Sequence, residues 1–260
     1  MIVEVLLSWW LLFFGLIAAA ELLEARHRPI ARQRWPANLT LIGLSSGLAA
    51  IIPLSSYASG QWAQDTGFGV LNWLGVTGVI LFVISFMAIS LWDYLVHLAS
   101  HKIPFLWRFH KIHHSDTELD VTTTFRAHPI IYLILSGVNF GIVAILGLDP
   151  FAIVWHAAIV LLLDLSHHTT LRLPPRIDAM LAPYIMTPAL HHIHHSDHVA
   201  ETDTNYGHDL AIWDRLFKTY LKDPKRPKNK FRYGLTQYSE KRSTDLHALL
   251  KAPFGKNPYS

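Results

Sequence analysis

Long blocks of apolar residues constrain the fold of this chain more than any other feature of its sequence. Three blocks, at residues 5–20, 39–58 and 70–96, come close to or exceed the ~20 residues needed to cross the apolar layer of a bilayer. Two shorter blocks follow within residues 130–168 and are separated by Gly147, Asp149 and Pro150. The pattern predicts an all-α protein with several transmembrane helices.

The composition supports a membrane protein and excludes several other classes. Hydrophobic residues make up 51% of the chain and charged residues 16%, against roughly 25% charged in a typical soluble domain. The formal net charge of +3 is too small to indicate a nucleic-acid partner. Because the chain contains no cysteine, disulfides, cysteine-ligated zinc and iron–sulfur clusters are excluded.

The charges between the apolar blocks predict how the chain crosses the membrane. Glu4 precedes the first block, where a secretory signal peptide would carry Lys or Arg, so we predict an uncleaved first helix. Arg26, Arg28, Arg32 and Arg34 follow it, and the positive-inside rule places this loop in the cytoplasm. We expect a loop at residues 59–69, which hold one acid and no Lys or Arg. The blocks near 130–167 form either a full hairpin or a re-entrant pair.

With this topology, residues 97–128 and everything after residue 167 lie on the cytoplasmic side. These stretches contain most of the histidines: the chain has 17, and 15 of them fall between positions 97 and 208. We therefore expect a histidine-rich helical cap on the cytoplasmic side. The chain divides into N-terminal membrane helices at 1–91, a catalytic domain at 92–220 and a basic tail at 221–260.

Three short motifs arrange the histidines at helical spacing. The first is His97 and His101, four residues apart, which places both imidazoles on one face of a helix. The other two motifs are copies of the pattern His-x-Ile-His-His-Ser-Asp, 81 residues apart. They supply six candidate ligands: His110, His113, His114, His191, His194 and His195. Nine candidate ligands, with His168 after the last apolar block, are too many for one ion and suit two ions with open positions.

Four carboxylates near these motifs are candidates for orienting the ligands: Asp93, Asp116, Asp164 and Asp197. Asp93 lies four residues before His97 on the same helical face, where it can accept the second ring N–H of that histidine. His128, His156 and His167 are possible additional members of the site. His192 would face away from the helical trio beside it, and His27, His198, His208 and His247 lack the spacing.

The type of metal stays open at this point, since imidazole binds zinc, copper, iron and nickel. A closed structural zinc site would use four ligands. The zinc-hydrolase motif HExxH does not occur in the chain. Two adjacent metals with open positions beside a membrane favour O2 chemistry, with a membrane zinc hydrolase as the alternative.

These motifs resemble the fatty acid hydroxylase/sterol desaturase superfamily, whose members carry HxxxH, HxxHH and HxxHH boxes around a non-haem di-iron centre. The resemblance extends over residues 92–220. It includes Arg126-Ala-His128-Pro129, the stretch from His168 to Pro174, Asn205-Tyr206-Gly207, and Trp213-Asp214 with the residues up to Phe217. It departs from the family pattern at Ile130-Ile131, where an acid is common, and at Thr170, where Asn is common, which leaves the substrate subclass undecided.

The resemblance implies a membrane-embedded enzyme that uses O2 to oxidise a C–H bond of a lipid. The expected cofactor is two iron ions, held by His97, His101, His110, His113, His114, His168, His191, His194 and His195. Asn205 and the Trp213-Asp214 pair are expected to brace the cap. Two electrons per turnover must come from an external donor such as a ferredoxin, a cytochrome or a reductase, since the sequence has no flavin or nicotinamide motif.

Other functions predict other patterns. A metal transporter would carry polar or histidine residues inside several spans, whereas His156 is the one histidine inside an apolar block. A haem protein would place histidines in the middle of opposed spans. The absence of an evident retrieval signal favours a bacterial cytoplasmic membrane over the endoplasmic reticulum. The basic segment at residues 218–232 can attract either anionic lipid or an acidic electron donor.

Overall fold

A computed structural model describes residues 2–24, 31–52 and 54–256, and its regular elements are helices, with two isolated β-bridges. Arg26, His27 and Arg28 of the predicted cytoplasmic loop, and Pro53, lie outside the described residues. The α-helices are α1 Ile2–Glu24, α2 Ala31–Ile51, α3 Ser56–Thr66, α4 Val70–Trp73, α5 Gly78–Lys102, α6 Pro104–His114, α7 Pro129–Leu146, α8 Pro150–His168, α9 Pro175–Leu181, α10 Pro188–His194, α11 Val199–Thr202, α12 Ile212–Leu216, α13 Glu240–Thr244 and α14 Leu246–Lys251.

Four segments of the described chain are long and apolar enough to cross a membrane: Gln33–Trp73, Gly78–Lys102, Pro129–Leu146 and Pro150–His168. At 1.5 Å per residue, α7 and α8 are each roughly 27–29 Å long, close to the ~30 Å apolar thickness of a bilayer. The prediction of several membrane-spanning helices is therefore confirmed at the level of length and composition.

The predicted loop at residues 59–69 is wrong, because helix α3 occupies most of it. The Ser55 side chain accepts a hydrogen bond from the backbone N–H of Ala58 and so starts the helix, and Gly67 ends it with φ +68°. The Ser59 hydroxyl donates to the Phe140 carbonyl, and Gln64 donates to the Gly147 carbonyl. Helix α3 therefore packs along the second half of α7.

The third span also starts later than predicted. Residues 70–96 were expected to form one helix, but α4 stops at Trp73 and α5 begins at Gly78. Gly75 and Gly78 adopt positive φ angles of 68° and 62° between the two helices. This backbone conformation favours glycine and interrupts a helix.

The start of α2 contacts the cap. We define the cap as residues 103–128 and 169–256. The buried Arg34 guanidinium lies 2.6 Å from the Asp116 carboxylate and 2.5 Å from that of Asp120. Asn38 accepts a hydrogen bond from Arg126 at 2.8 Å. These contacts fix the cap to the membrane helices.

The C-terminal segment completes the same core. Leu249 and Tyr238 are buried against Ile112 of α6 and against Leu41 of α2. Helix α2 and the C-terminal segment thus meet over the second histidine motif. Burial of these apolar side chains contributes roughly 25 cal/mol of stabilising free energy per Å² of surface removed from water. This packing stabilises α6, the helix that carries the motif.

Candidate metal centre

The nine predicted ligands are brought together in two adjacent groups. The first group is His97, His101, His110, His114 and His194, and the second is His113, His168, His191 and His195. Within each group the candidate nitrogens lie within 4.8 Å of one another. Two nitrogens on opposite sides of one metal ion, each bonded at 2.0–2.1 Å, would be about 4 Å apart. The dimensions therefore fit one ion in each group.

The two copies of the repeated motif contribute to the two groups in opposite ways. In α6, the first and last histidines of the motif face the first group and the middle one, His113, faces the second. In α10 the roles are exchanged, so that His194, the middle one, faces the first group. The exchange brings the two groups into contact, and the rings of His114 and His195 stack at 4.6 Å between centroids.

Backbone carbonyls fix the ring orientation of three predicted ligands. The Nδ1 atom of His97 lies 2.7 Å from the Tyr206 carbonyl, and that of His194 lies 2.7 Å from the Thr204 carbonyl. The Nδ1 atom of His168 lies 2.9 Å from the Asp164 carbonyl. Because a carbonyl only accepts, each Nδ1 carries the proton and each Nε2 presents its lone pair to the centre.

Asn205 and Asp214 hold the loop that supplies two of these carbonyls. The Asn205 side chain donates to the carbonyls of Leu190 and Leu221, and its backbone has a positive φ of 54°. Asp214 accepts hydrogen bonds from the backbone N–H groups of Tyr206 at 2.7 Å and Gly207 at 2.9 Å. These bonds hold the loop in place, with the Tyr206 and Thr204 carbonyls next to the rings of His97 and His194.

Burial keeps the cap histidines neutral, as metal ligation requires. It lowers the pKa of His110 and of His194 to about 3 and that of His113 well below its usual value, because the charged form is poorly solvated there. Several ring nitrogens of the described groups, including Nε2 of His101 and both nitrogens of His114, are buried without a hydrogen-bond partner. Unpaired buried nitrogens are costly, and a bound cation would satisfy one nitrogen of each ring.

Three of the four carboxylates contact groups other than the nine predicted ligands. Asp93 was expected to pair with His97, but the Tyr206 carbonyl takes that position, and Asp93 lies 3.9 Å from the His156 ring instead. Tyr206, in the loop after the third motif, therefore occupies the place next to His97 where Asp93 was expected.

Asp116 and Asp197 bind arginines rather than orienting ligands. Asp116 pairs with Arg34 and accepts from Thr123, and although burial opposes it, the arginine holds the pKa of Asp116 below its usual range. Asp197 pairs with Arg226. Both are the last residue of their motif and lie beyond the end of the helix that carries it.

Asp164 contacts two histidines, one of which the sequence did not single out. Its carboxylate lies 3.5 Å from Nδ1 of His167 and 3.4 Å from Nδ1 of His208. The His208 ring packs against the predicted ligand His97 at 4.7 Å between centroids. His208 has no helical spacing to another histidine, so sequence reasoning had no signal for it.

Four further described histidines lie outside both groups. His128 caps α7 by accepting from the backbone N–H of Ile130, and His167 is bonded through Nε2 to the Met186 carbonyl. His156 lies 3.2 Å from the Asp209 carboxylate. His192 stands outside both groups, as expected from its position on the helix.

A cavity of about 740 Å³ leads from the centre into the membrane region. One part of its wall is formed by predicted ligands of both groups, among them His97 and His168. Another part of its wall is formed by residues between α2 and α3 and by α7, such as Ile52, Leu135 and Asn139. Away from the histidines and from Asp93 and Asp164, the walls combine apolar side chains with small polar ones, which suits an aliphatic chain.

Comparison with known proteins gives one family match. The model of the fatty acid hydroxylase family matches residues 82–219, which is more than half of the chain. The chain is 36% identical over 135 residues to an ornithine lipid hydroxylase of Rhizobium tropici, covering 51% of this chain and 39% of that protein.

More distant relatives include an alkylglycerol monooxygenase of Xenopus tropicalis, 30% identical over 155 residues, covering 59% of this chain and 32% of the relative. A very-long-chain aldehyde decarbonylase of Oryza sativa is 27% identical over 143 residues, covering 54% of each protein. The chain thus aligns with less than two thirds of the length of these relatives. No solved structure shows significant similarity to it.

Proposed function

Because the chain belongs to the fatty acid hydroxylase family, we propose that it is an integral-membrane oxygenase that hydroxylates or desaturates a C–H bond of a lipid. The proposed cofactor is a pair of iron ions, one held by each histidine group, with O2 as cosubstrate. The observation that carries the proposal is the contact between these two groups and a membrane-facing cavity.

The nature of the ligands favours iron and O2 over a closed structural site. The described groups offer five and four neutral imidazoles. Histidine suits iron among several metals, and four ligands leave positions open on an ion that accepts six. When bound, two irons with open positions would supply the O2 chemistry needed to oxidise an unactivated carbon.

The protein itself contributes orientation and the exclusion of water. The Tyr206, Thr204 and Asp164 carbonyls hold protons at Nδ1 of three ligands and direct their Nε2 atoms inward. The cavity brings a lipid chain to the centre from within the membrane, so that the reacting carbon lies near the metals without crossing water.

The substrate class follows from the cavity and from the relatives. Two of the relatives are named for ornithine lipid and alkylglycerol, both lipids. A lipid substrate would enter this cavity with its aliphatic chain between α7 and the break between α2 and α3. The centre would lie at the cytoplasmic face of a bacterial membrane, with electrons supplied by a separate protein.

The test combines metal analysis with isotope labelling. The protein purified anaerobically in mild detergent with iron supplied should contain about two irons per chain, since it has two histidine groups. With reduced methyl viologen as an artificial electron source and extracted bacterial lipids as substrate, ¹⁸O from ¹⁸O2 should enter a lipid product, or a desaturated lipid should form.

The control is a histidine outside the two groups. His194→Ala should abolish product formation and lower the iron content, whereas His247→Ala should keep both. Full turnover by His194→Ala contradicts the ligand assignment. Zinc bound in preference to iron, with lipid or ester hydrolysis instead of oxidation, would establish a membrane hydrolase in place of the oxygenase.

A further inference from the structure

Large apolar side chains stand exposed on the part of the cap that follows α8. Five of them, each 43–65% exposed, come from two stretches of chain, and we call them the apolar flank: Ile177, Met180, Tyr184, Leu216 and Phe217. The two stretches are neighbours, because the Arg215 guanidinium donates to the Pro183 carbonyl at 3.2 Å. Apolar side chains exposed singly are ordinary on a protein surface, whereas a patch of them marks an interaction site.

Contacts with α5 fix the depth of α12 relative to this candidate span. The Trp213 indole N–H donates to the Ser90 hydroxyl at 2.9 Å, and the Phe217 ring stacks on the Tyr94 ring at 5.3 Å between centroids. Ser90 is the middle residue of α5, which begins at residue 78 and ends at residue 102. Along the helix it lies ~10 Å before the predicted ligand His97, at 1.5 Å per residue.

Both contact points on α5 fall within the apolar layer. About 20 residues of a helix cross such a layer, and counted from Gly78, the first residue of α5, they end at His97. Ser90 and Tyr94 lie within this stretch. Helix α12, which contacts both, is therefore at the depth of the lipid chains when α5 crosses a membrane.

The loop before α12 reaches a similar depth on α8. The Asp209 carboxylate accepts from the Ser90 hydroxyl at 2.8 Å and lies 3.2 Å from the His156 ring. His156 is close to the middle of α8, which runs from Pro150 to His168. The contact thus falls inside this candidate span, well before the end that carries His168.

The backbone beside the apolar flank is suited to an apolar environment. The Met186 N–H donates to the Asp209 carbonyl at 2.8 Å, and the Ala211 N–H donates to the Tyr184 carbonyl at 2.9 Å. Non-helical backbone is tolerated at membrane depth where it is buried in protein and its polar groups are paired. Residues 184–186 and 209–211 supply these partners to each other.

The exposed charges around the apolar flank are positive. Residues 171–186 and 209–218 contain four exposed cations: Arg172, Arg176, Arg215 and Lys218. The same stretches contain three acids, but Asp209 and Asp214 are buried and Asp178 is half-buried. An anionic lipid surface is the electrostatic complement of such a rim.

Lys218 shows how charge and depth are compatible. It follows Phe217, whose partner Tyr94 lies three residues, or ~4.5 Å, before the end of the membrane stretch at His97. A lysine side chain lays its carbon stem along apolar surface and keeps its ammonium group at the interface. Apolar side chains with a basic rim are the pattern of segments that lie in a membrane interface.

We propose that residues 175–186 and 209–218 are immersed in the membrane leaflet on the side of the histidine groups. The apolar flank contacts lipid chains, and Arg176 and Lys218 contact anionic headgroups. The proposal is independent of the oxygenase function and requires only that α5 and α8 cross the membrane. It makes this side of the cap a lipid-facing wall of the metal centre.

Spin labelling tests the immersion, because the chain contains no cysteine and a single one can be placed at will. The variants Met180→Cys and Leu216→Cys carry a nitroxide on the flank, at exposed sites where the label needs no repacking. The protein is reconstituted into vesicles of phosphatidylcholine and phosphatidylglycerol. EPR power saturation then compares access of O2, which concentrates among lipid chains, with access of a water-soluble nickel chelate.

Two further labels provide the reference values. Val83→Cys lies on an exposed part of α5 within the membrane stretch. Val199→Cys is exposed on α11, whose final cap Asp203 pairs with Lys102 at the far end of α5. The ratio of O2 access to nickel access at residues 180 and 216 should match that at residue 83 and exceed that at residue 199 severalfold.

Three outcomes refute the immersion. The first is a ratio at residues 180 and 216 like that at residue 199, which would place the flank in water. The second is low access of both reagents with spin–spin broadening, which would place a second copy of the chain on the flank. The third is a water-like ratio at residue 83, because α5 would then not cross the membrane.

The headgroup contact is tested with unlabelled protein and spin-labelled lipid. The motionally restricted fraction of each lipid gives the preference of the protein for phosphatidylglycerol over phosphatidylcholine. Arg176→Gln/Lys218→Gln should lower this preference about twofold or more at low ionic strength, and the difference should shrink with added salt. Lys241→Gln/Lys256→Gln removes the same charge from exposed sites outside the flank and should retain the preference. A preference that stays unchanged, or that both double variants lower equally, refutes the contact.

Discussion

Asp214→Asn tests whether the loop after the third motif controls one metal site. The buried Asp214 carboxylate accepts from the N–H of Tyr206 and the hydroxyl of Thr219 through one oxygen, at 2.7 Å each, and from the N–H of Gly207 through the other, at 2.9 Å. An asparagine amide can keep the first oxygen but presents an NH2 group to Gly207. One buried donor loses its partner, at a cost of about 1–3 kcal/mol.

This local cost should appear as lost metal affinity. Tyr206 and Thr204 orient His97 and His194, and both histidines belong to the first group. Loss of such an orienting contact typically lowers metal affinity 10–100-fold, or about 1.4–2.7 kcal/mol. When the iron-loaded variant is titrated with a competing chelator, one ion per chain should be released more easily than from the wild type. The other ion should be held with unchanged affinity.

The control is a carboxylate that pairs away from the centre. Asp197→Asn weakens an ion pair with Arg226 and should leave both irons in place. If Asp214→Asn retains both irons with unchanged affinity, the loop does not orient the ligands. If it loses both irons in step with a lower melting temperature, the residue acts on global stability and the reasoning is refuted.

Three further predictions concern stability and access. Asp116→Asn removes one partner of the buried Arg34 pair and should cost about 3–5 kcal/mol of unfolding free energy, measured by thermal unfolding in detergent; loss of iron from a protein of normal stability would contradict this. Gly69→Ala should lower the melting temperature more than Gly67→Ala, because its Cβ would lie 2.5 Å from the Gly147 nitrogen whereas Gly67 faces open space; equal melting temperatures would show that the contact relaxes freely. Ser136→Phe should fill the membrane-facing cavity and reduce lipid turnover with the iron count unchanged; normal turnover would place the substrate elsewhere.

The ligands were predictable because their spacing is local. Residues three and four apart share a helical face whatever the helix packs against, so the motifs at 97–101, 110–114 and 191–195 identified their own histidines. The candidate spans were predictable for a similar reason, since the apolar layer of a bilayer requires long uncharged helices. Their exact ends were not, because Ser55 and the glycines at 75 and 78 set the breaks through local backbone geometry.

The sequence by itself therefore predicted nine histidines near the ends of apolar blocks, most of them at helical spacing. Only the tertiary structure decided which histidines share a group, because the exchange between α6 and α10 depends on how two distant helices face each other. It also decided the partners of the ligands. The carbonyls of Tyr206 and Thr204, which replaced the expected Asp93, and the ring of His208 come from a loop that has no periodic pattern. Backbone groups are the same in every residue, so their role is set by where the fold places them.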